Sequence, residues 1–376
     1  MVQIISGIGS FESFRKLKNQ YSGKNILLVT GKDSYKLSGA KKILDQSLDG
    51  EKVLRFFDFD VNPKIEDAQR GTSLARDAGI DLIIAVGGGS VIDMAKLIKA
   101  FYLKPKLSQE LAQGKVAMSD PNIPLIVAPT TAGSGSEATH FAVIYIGSVK
   151  YSLASQSLLP ETVILDGKLI ATCSAYQKAC NGLDALAQAI ESAWAAGSTD
   201  VSRANSFDAL NLCINYLKNV VKNGADDIAL QGILEAANLA GQAINISKTT
   251  AAHAWSYGIT NSYGVPHGHA VWLTLPAIFQ INALCTDDKV THLLGADHLK
   301  GVMKRLMKTL SIPVPTQAGH VLRNYMSSIG IESDLVKMGA DTVEKRKFLS
   351  EQVNMERMSN NPSKLDGSDI TEIFKI

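Results

Sequence analysis

The run Asp81-Leu82-Ile83-Ile84-Ala85-Val86 leads without a spacer into Gly87-Gly88-Gly89-Ser90, and a segment of helical character, Val91-Ile92-Asp93-Met94-Ala95-Lys96, follows at once. A continuous apolar run of that length reads as a strand covered on both faces, which implies a parallel sheet with helices on each side. A plain strand-to-helix turn needs one glycine. Three let the backbone come close to a phosphate, while the first amides of the helix supply donors and the positive end of its dipole. The spacing is not the GxGxxG of the common dinucleotide fingerprint.

Three more runs repeat the pattern. Asn25–Thr30 stops at Gly31, Val53–Phe57 ends before the Asn62-Pro63 turn, and Pro124–Ala128 enters the hydroxyl-rich loop Ala128–Glu137. That loop can hydrogen-bond phosphates, a ribose or an amide. Two such loops at the ends of neighbouring strands converge on one crevice, the place where α/β sheets bind ligands. From Ser174 onward the texture changes to apolar residues at three- and four-residue spacing, as in Leu183, Leu186, Ala187, Ile190 and Trp194. The expectation is a Rossmann-like α/β dinucleotide-binding domain with a parallel sheet over 1–176. An all-α metal-binding domain over 177–376 follows it, the boundary falling between Asp166 and Lys178.

In the helical half, Asn181-Gly182-Leu183-Asp184 opens a helix that continues to Gln188, and the four-residue spacing puts Asp184 and Gln188 on one face. His253, His267 and His269 fall close together in apolar surroundings. Singly, each reads as a satisfied core histidine. A carboxylate grouped with two imidazoles suits iron, zinc or another divalent first-row metal. The four cysteines show no CxxC spacing, so neither a zinc ribbon nor a redox dithiol is indicated. A net charge of +2, from 38 basic and 36 acidic residues, gives no electrostatic case for nucleic acid or a membrane surface. The N-terminus lacks a basic segment followed by an apolar one, and no apolar run is long enough to span a bilayer, so a cytoplasmic protein is expected.

The segments GGGSVIDMAK, APTTAGSGSE, NGLDALAQAIES and HAWSYGITNSYGVPHGHA together resemble the iron-containing, or group III, alcohol dehydrogenase family. The resemblance runs from Gly7-Ile8-Gly9-Ser10 to Asn361-Pro362. It implies metal ligands at Asp184, His253 and His267, with the remaining ligand position at Gln188, where most members carry histidine. A neutral amide oxygen is a poorer donor than imidazole, so the site should hold metal more weakly or favour a harder ion. Cofactor contacts fall on Asn62, Gly87, Gly88, Gly89, Ser90, Asp93, Thr130, Thr131, Ser134 and Lys150. The implied chemistry is hydride transfer between a nicotinamide and a carbonyl carbon, assisted by one divalent metal, Fe2+ before Zn2+. His253 and His267 then stand at the reacting centre, with His269 as a proton-relay candidate. Tyr257 stands where some members have a further histidine, and homodimers are the usual assembly.

Cofactor choice turns on Gly31. NAD-preferring relatives often carry an acidic residue there, which accepts the ribose 2′-hydroxyl and repels a 2′-phosphate. Gly31 removes that repulsion, so NADP(H) is favoured over NAD(H), although Asp33 stands two residues on. The stretches Ala243–His253 and Asp184–Ser192 are similar to the phosphonoacetaldehyde reductase branch. There Lys248 and Thr249 would place a cation and a hydroxyl beside a metal ligand to receive a phosphonate. The expectation is therefore reduction of phosphonoacetaldehyde to 2-hydroxyethylphosphonate. The alternatives are a broad alcohol or polyol dehydrogenase and a non-catalytic nucleotide-binding homologue with a degraded metal site.

Overall fold

The computed structural model describes residues 2–147, 149–224 and 226–376. It divides into two compact units, Met1–Cys173 with Ala225–Asn238, and Ser174–Gly224 with Leu239–Ile376.

Among the described residues the first unit carries eight strands: β1 (Gln3–Ser6), β2 (Asn25–Thr30), β3 (Lys52–Phe56), β4 (Leu82–Gly87), β5 (Leu125–Pro129), β6 (Phe141–Ile146), β7 (Val149–Ala154) and β8 (Thr162–Leu165). Six form one sheet in the order β1-β8-β5-β4-β2-β3, and every pairing in it is parallel. All residues of β4 and β5 are buried, as continuous apolar runs require of central strands. The four strands read from sequence are present to within a residue. β1, β8 and the antiparallel pair β6–β7 were not anticipated.

The strand order locates the ligand crevice. The chain moves outward from β2 to β3, then crosses back past β2 to β4 and on to β5. The sheet therefore reverses direction between β2 and β4, and ligands of such sheets bind at the carboxyl ends flanking that reversal. Thr30 pairs with Val86, so Gly31 and Gly87 leave neighbouring strands side by side.

The second unit is helical. Its longer members are Ala175–Trp194, Asp200–Lys222, the later part of Asp227–Ser247, Ala251–Tyr263, Gly295–Thr309 and Ala318–Ser328. The helix bearing Asp184 starts at Ala175 rather than at Asn181, because Ser174 and Gln177 form a reciprocal capping box that satisfies its first amides. Three fully buried tryptophans fix the interior. Trp194 Nε1 donates to Thr250 Oγ1 at 3.0 Å, and Trp272 Nε1 donates to the Leu183 carbonyl at 2.7 Å. The third, Trp255, donates to the Ser350 carbonyl.

Candidate nucleotide cradle and metal centre

The glycine run of the first unit becomes the end of β4 and the start of the helix Gly89–Phe101. Its glycines are required by close approach. A Cβ on Gly88 would lie 3.2 Å from the Thr131 side chain, and one on Gly89 would lie 2.5 Å from Ser134 Oγ. The two loops expected to converge therefore touch, and the Thr130 amide donates to the Gly87 carbonyl at 3.0 Å. First-turn amides of a helix have no intrahelical acceptor. Thr130 Oγ1 is buried with no hydrogen-bond partner among the described residues. Orphan donors and an orphan hydroxyl around a glycine-lined turn fit a phosphate-bearing nucleotide. Asn62, at φ 62°, donates its amide to Ser90 Oγ and so borders the same turn.

Asp93 and Lys96 stand behind this cradle. Asp93 accepts from Ser136 Oγ and from the Val143 amide, so its carboxylate ties the loop to β6. Lys96 is fully buried, and its Nζ donates to the carbonyls of Ser136, Thr139 and Phe141 at 2.6, 2.7 and 3.0 Å. Burial pushes the lysine pKa down and those of Asp93 and Glu137 up, each partly offset by the opposite charges of the cluster. Lys150 faces Tyr145 across β6–β7 and contributes positive charge near Asp93.

In the second unit, Asp184, His253 and His267 come together as expected, their ligand atoms all within 4.8 Å of one another. His253 Nε2 lies 3.4 Å and His267 Nε2 3.9 Å from Asp184 Oδ1. Asp184 Oδ1 and His253 Nε2 are buried without a hydrogen-bond partner among the described residues. Leaving such atoms unsatisfied is costly, and a cation between them removes the cost. The donor set fits a divalent first-row metal. Gln188, buried one turn beyond Asp184, hydrogen-bonds the Asp184 carboxylate. Burial pushes the Asp184 carboxyl up, but the adjacent imidazoles of His253 and His267 hold it below its ordinary range.

Two residues that sequence reasoning missed shape this centre. Glu191 is fully buried on the same helix. One of its oxygens accepts from the Thr250 hydroxyl and from the amides of Thr250 and Ala252, and the other faces His253 Nδ1. One carboxylate thus caps the helix Ala251–Tyr263 and turns the His253 ring so that Nε2 meets Asp184. Its place one turn beyond Gln188 does not by itself tell it from a solvated acid. Gly268 is the second. A Cβ there would lie 2.8 Å from that of Asp184, so glycine alone lets the helix His267–Trp272 come down against Asp184. The Tyr257 ring stacks on His267 at 5.7 Å between centroids.

Three other expected residues are engaged by partners within the protein. His269 Nε2 lies 2.7 Å from the Glu332 carbonyl, which can only accept, so Nε2 carries the proton. Nδ1 then accepts from the Tyr176 hydroxyl at 2.9 Å. Both ring nitrogens are engaged by protein, which leaves no nitrogen for the relay considered from sequence. Lys248, at φ 61°, is exposed and ion-paired with Glu356, while the carbonyl of buried Thr249 accepts from Asn360 Nδ2 at 2.9 Å.

A glycine-lined turn that fits a phosphate, at the reversal point of a parallel sheet, and a two-histidine, one-carboxylate set that fits a divalent metal, in a helical unit, are features expected of a metal-assisted, nicotinamide-dependent dehydrogenase. A model of the family described as iron-containing alcohol dehydrogenase matches residues 2–167, and one for the C-terminal part of that family matches 178–376. A phosphonoacetaldehyde reductase of Streptomyces viridochromogenes is 31% identical over 294 residues, 76% of this chain and 73% of that protein. An NAD-dependent methanol dehydrogenase of Bacillus methanolicus is 26% identical, covering 99% of this chain and 97% of that protein. The crystal structure of a sulfoacetaldehyde reductase from Bifidobacterium kashiwanohense with NAD+ superposes with a TM-score of 0.87 at 25% identity, covering 100% of this chain and 96% of that one. The chain belongs to the iron-containing alcohol dehydrogenase family and is an NAD(P)-dependent oxidoreductase acting on CH–OH groups. No helix among the described residues is long and apolar enough to cross a membrane.

Proposed function

We propose that this dehydrogenase reduces a two-carbon aldehyde bearing an oxoanion, with phosphonoacetaldehyde as substrate and 2-hydroxyethylphosphonate as product. The observation that carries the proposal is the pair of relatives named for phosphonoacetaldehyde and sulfoacetaldehyde, whose substrates share that chemistry. When bound, a divalent cation supplies Lewis-acid polarisation of the carbonyl and the nicotinamide supplies the hydride. Asp184, His253 and His267 would hold the cation, with Gln188 beside them. The Gly87–Ser90 turn, Thr130, Thr131 and Ser134 would hold the nucleotide.

Lys248 is the proposed anion-binding group, with Thr249 next to it. Its present partner, Glu356, forms an exposed ion pair of the kind worth about 0–1 kcal/mol, which a doubly charged phosphonate can displace. That same pair favours the second reading, an uncharged alcohol or aldehyde substrate, because it already neutralises Lys248. A homodimer in the cytoplasm belongs to the same proposal, and light scattering on the purified protein tests the assembly.

The experiment is reduction of an aldehyde panel by the metal-supplemented enzyme, with Lys248→Ala beside the wild type. The proposal expects phosphonoacetaldehyde to be preferred over propanal, and the preference to fall in Lys248→Ala through a raised KM. Equal kcat/KM for charged and uncharged aldehydes would sink it and leave the dehydrogenase class intact.

A further inference from the structure

We propose that Arg55 is the group that recognises the ribose 2′-phosphate of a nicotinamide nucleotide, which makes this chain an NADP(H) enzyme. The inference rests on the nucleotide-cradle reading above and names the form of the cofactor.

Arg55 sits on β3 opposite Leu28 of β2, and its side chain reaches the carboxyl end of β2. There Nε donates to Thr30 Oγ1 at 2.9 Å and one Nη donates to the Gly31 carbonyl at 3.3 Å. The guanidinium lies over two rings, 4.2 Å from the Phe57 centroid and 4.8 Å from that of Tyr35. The two ring contacts and the two hydrogen bonds together hold the fork at the end of β2. Nη1 makes no hydrogen bond to the described residues, and Arg55 has no carboxylate partner among them.

An ordinary strand arginine would be expected to pair with a nearby acid. The acids close by already have cations of their own: Asp45 pairs with Lys41, Asp60 with Lys64, and Asp58 with Arg70. What remains is a positive fork beside Gly31, which follows β2, one of the two strands that flank the sheet's reversal. In this class of sheet the residue at the end of that strand reads the adenosine ribose, an acid there selecting the 2′-hydroxyl and an arginine nearby accommodating a 2′-phosphate. Gly31 offers no carboxylate, and Arg55 offers planar, bidentate phosphate chemistry. Asp33, exposed just beyond, is the competing group, since its carboxylate could instead accept a 2′-hydroxyl.

Fluorescence titration of the full chain with NADPH and with NADH measures this without turnover, and 2′,5′-ADP and 5′-AMP as competitors isolate the 2′-phosphate. The wild type should bind NADPH at least about 10-fold more tightly than NADH. Arg55→Gln should weaken NADPH and 2′,5′-ADP by about 10- to 100-fold while changing NADH and 5′-AMP by less than about twofold, as loss of one charge-assisted contact predicts. Arg55→Lys keeps the charge but loses the fork. It should fall between, and it carries the comparison if Arg55→Gln does not fold. Equal wild-type affinity for the two nucleotides, or equal weakening of both by the variants, would overturn the proposal. So would an NADH preference abolished by Asp33→Asn. In each of those cases the aldehyde-reductase reading stands, whereas failure to bind either nucleotide would remove the cradle reading itself.

Discussion

Gly268 lies so close to Asp184 that a Cβ on the first would sit 2.8 Å from the Cβ of the second. The metal set is therefore assembled by helix contact as well as by ligand chemistry. Gly268→Ala must push the helix His267–Trp272 outward and carry His267 away from Asp184. The variant should fold with an overpacking cost of about 1–3 kcal/mol in urea unfolding. It should also fail to retain stoichiometric metal after gel filtration.

Glu191→Gln separates two duties of one side chain. The amide oxygen of the glutamine can still accept from the Thr250 and Ala252 amides, so helix capping largely survives. It cannot provide the carboxylate that faces His253 Nδ1. Zinc affinity measured by chelator competition should fall about 10- to 100-fold, as for other partners of ligating histidines. In His253→Ala the same change should cost little further, because Glu191 acts through that ring. A full additional loss in the double variant would show that Glu191 serves the helix alone.

Gln188→His tests the departure from the family pattern. An imidazole in place of the amide adds a stronger donor beside Asp184, so the zinc dissociation constant should drop by about 10-fold or more. The metal-dependent rise in melting temperature should grow with it. An unchanged constant would mean that position 188 does not face the ion.

Lys96→Met takes the lysine donor from three carbonyls, those of Ser136, Thr139 and Phe141. Ser136 and Phe141 keep a second donor in the Thr139 hydroxyl, so the Thr139 carbonyl is the buried orphan, and equilibrium unfolding should show a loss of about 1–3 kcal/mol. Any folded fraction should bind nucleotide more weakly, since the 130–141 loop is no longer tied down.

The central strands and the cradle were legible because continuous apolar runs and a triple glycine are local signals. β8 was not, since Thr162–Leu165 is short and owes its place to pairing with β1 and β5 from distant parts of the chain. Asp184, His253 and His267 could be grouped from residue type and family motif. Glu191 could not, because an acid on a helix reads as solvated until the fold brings Thr250 and His253 to it. Arg55 was passed over for the same reason: nothing in Val53–Phe57 shows that Tyr35 and Phe57 will clamp it. Lys248 and His269 show the converse, their types being legible as chemically apt while their partners, Glu356 and the Tyr176–Glu332 pair, are set by packing and are not.

The first unit is discontinuous, made of Met1–Cys173 and Ala225–Asn238. The later piece supplies Gln231, whose side chain accepts from the Gly167 amide at 2.9 Å, and Asn238, which donates to buried Glu137 at 3.2 Å. A ribosome delivers the helices of Ser174–Gly224 before that piece exists. The nucleotide-binding half therefore cannot finish folding on the nascent chain until Asn238 has emerged, and a fragment ending near residue 176 would leave Glu137 without its amide donor.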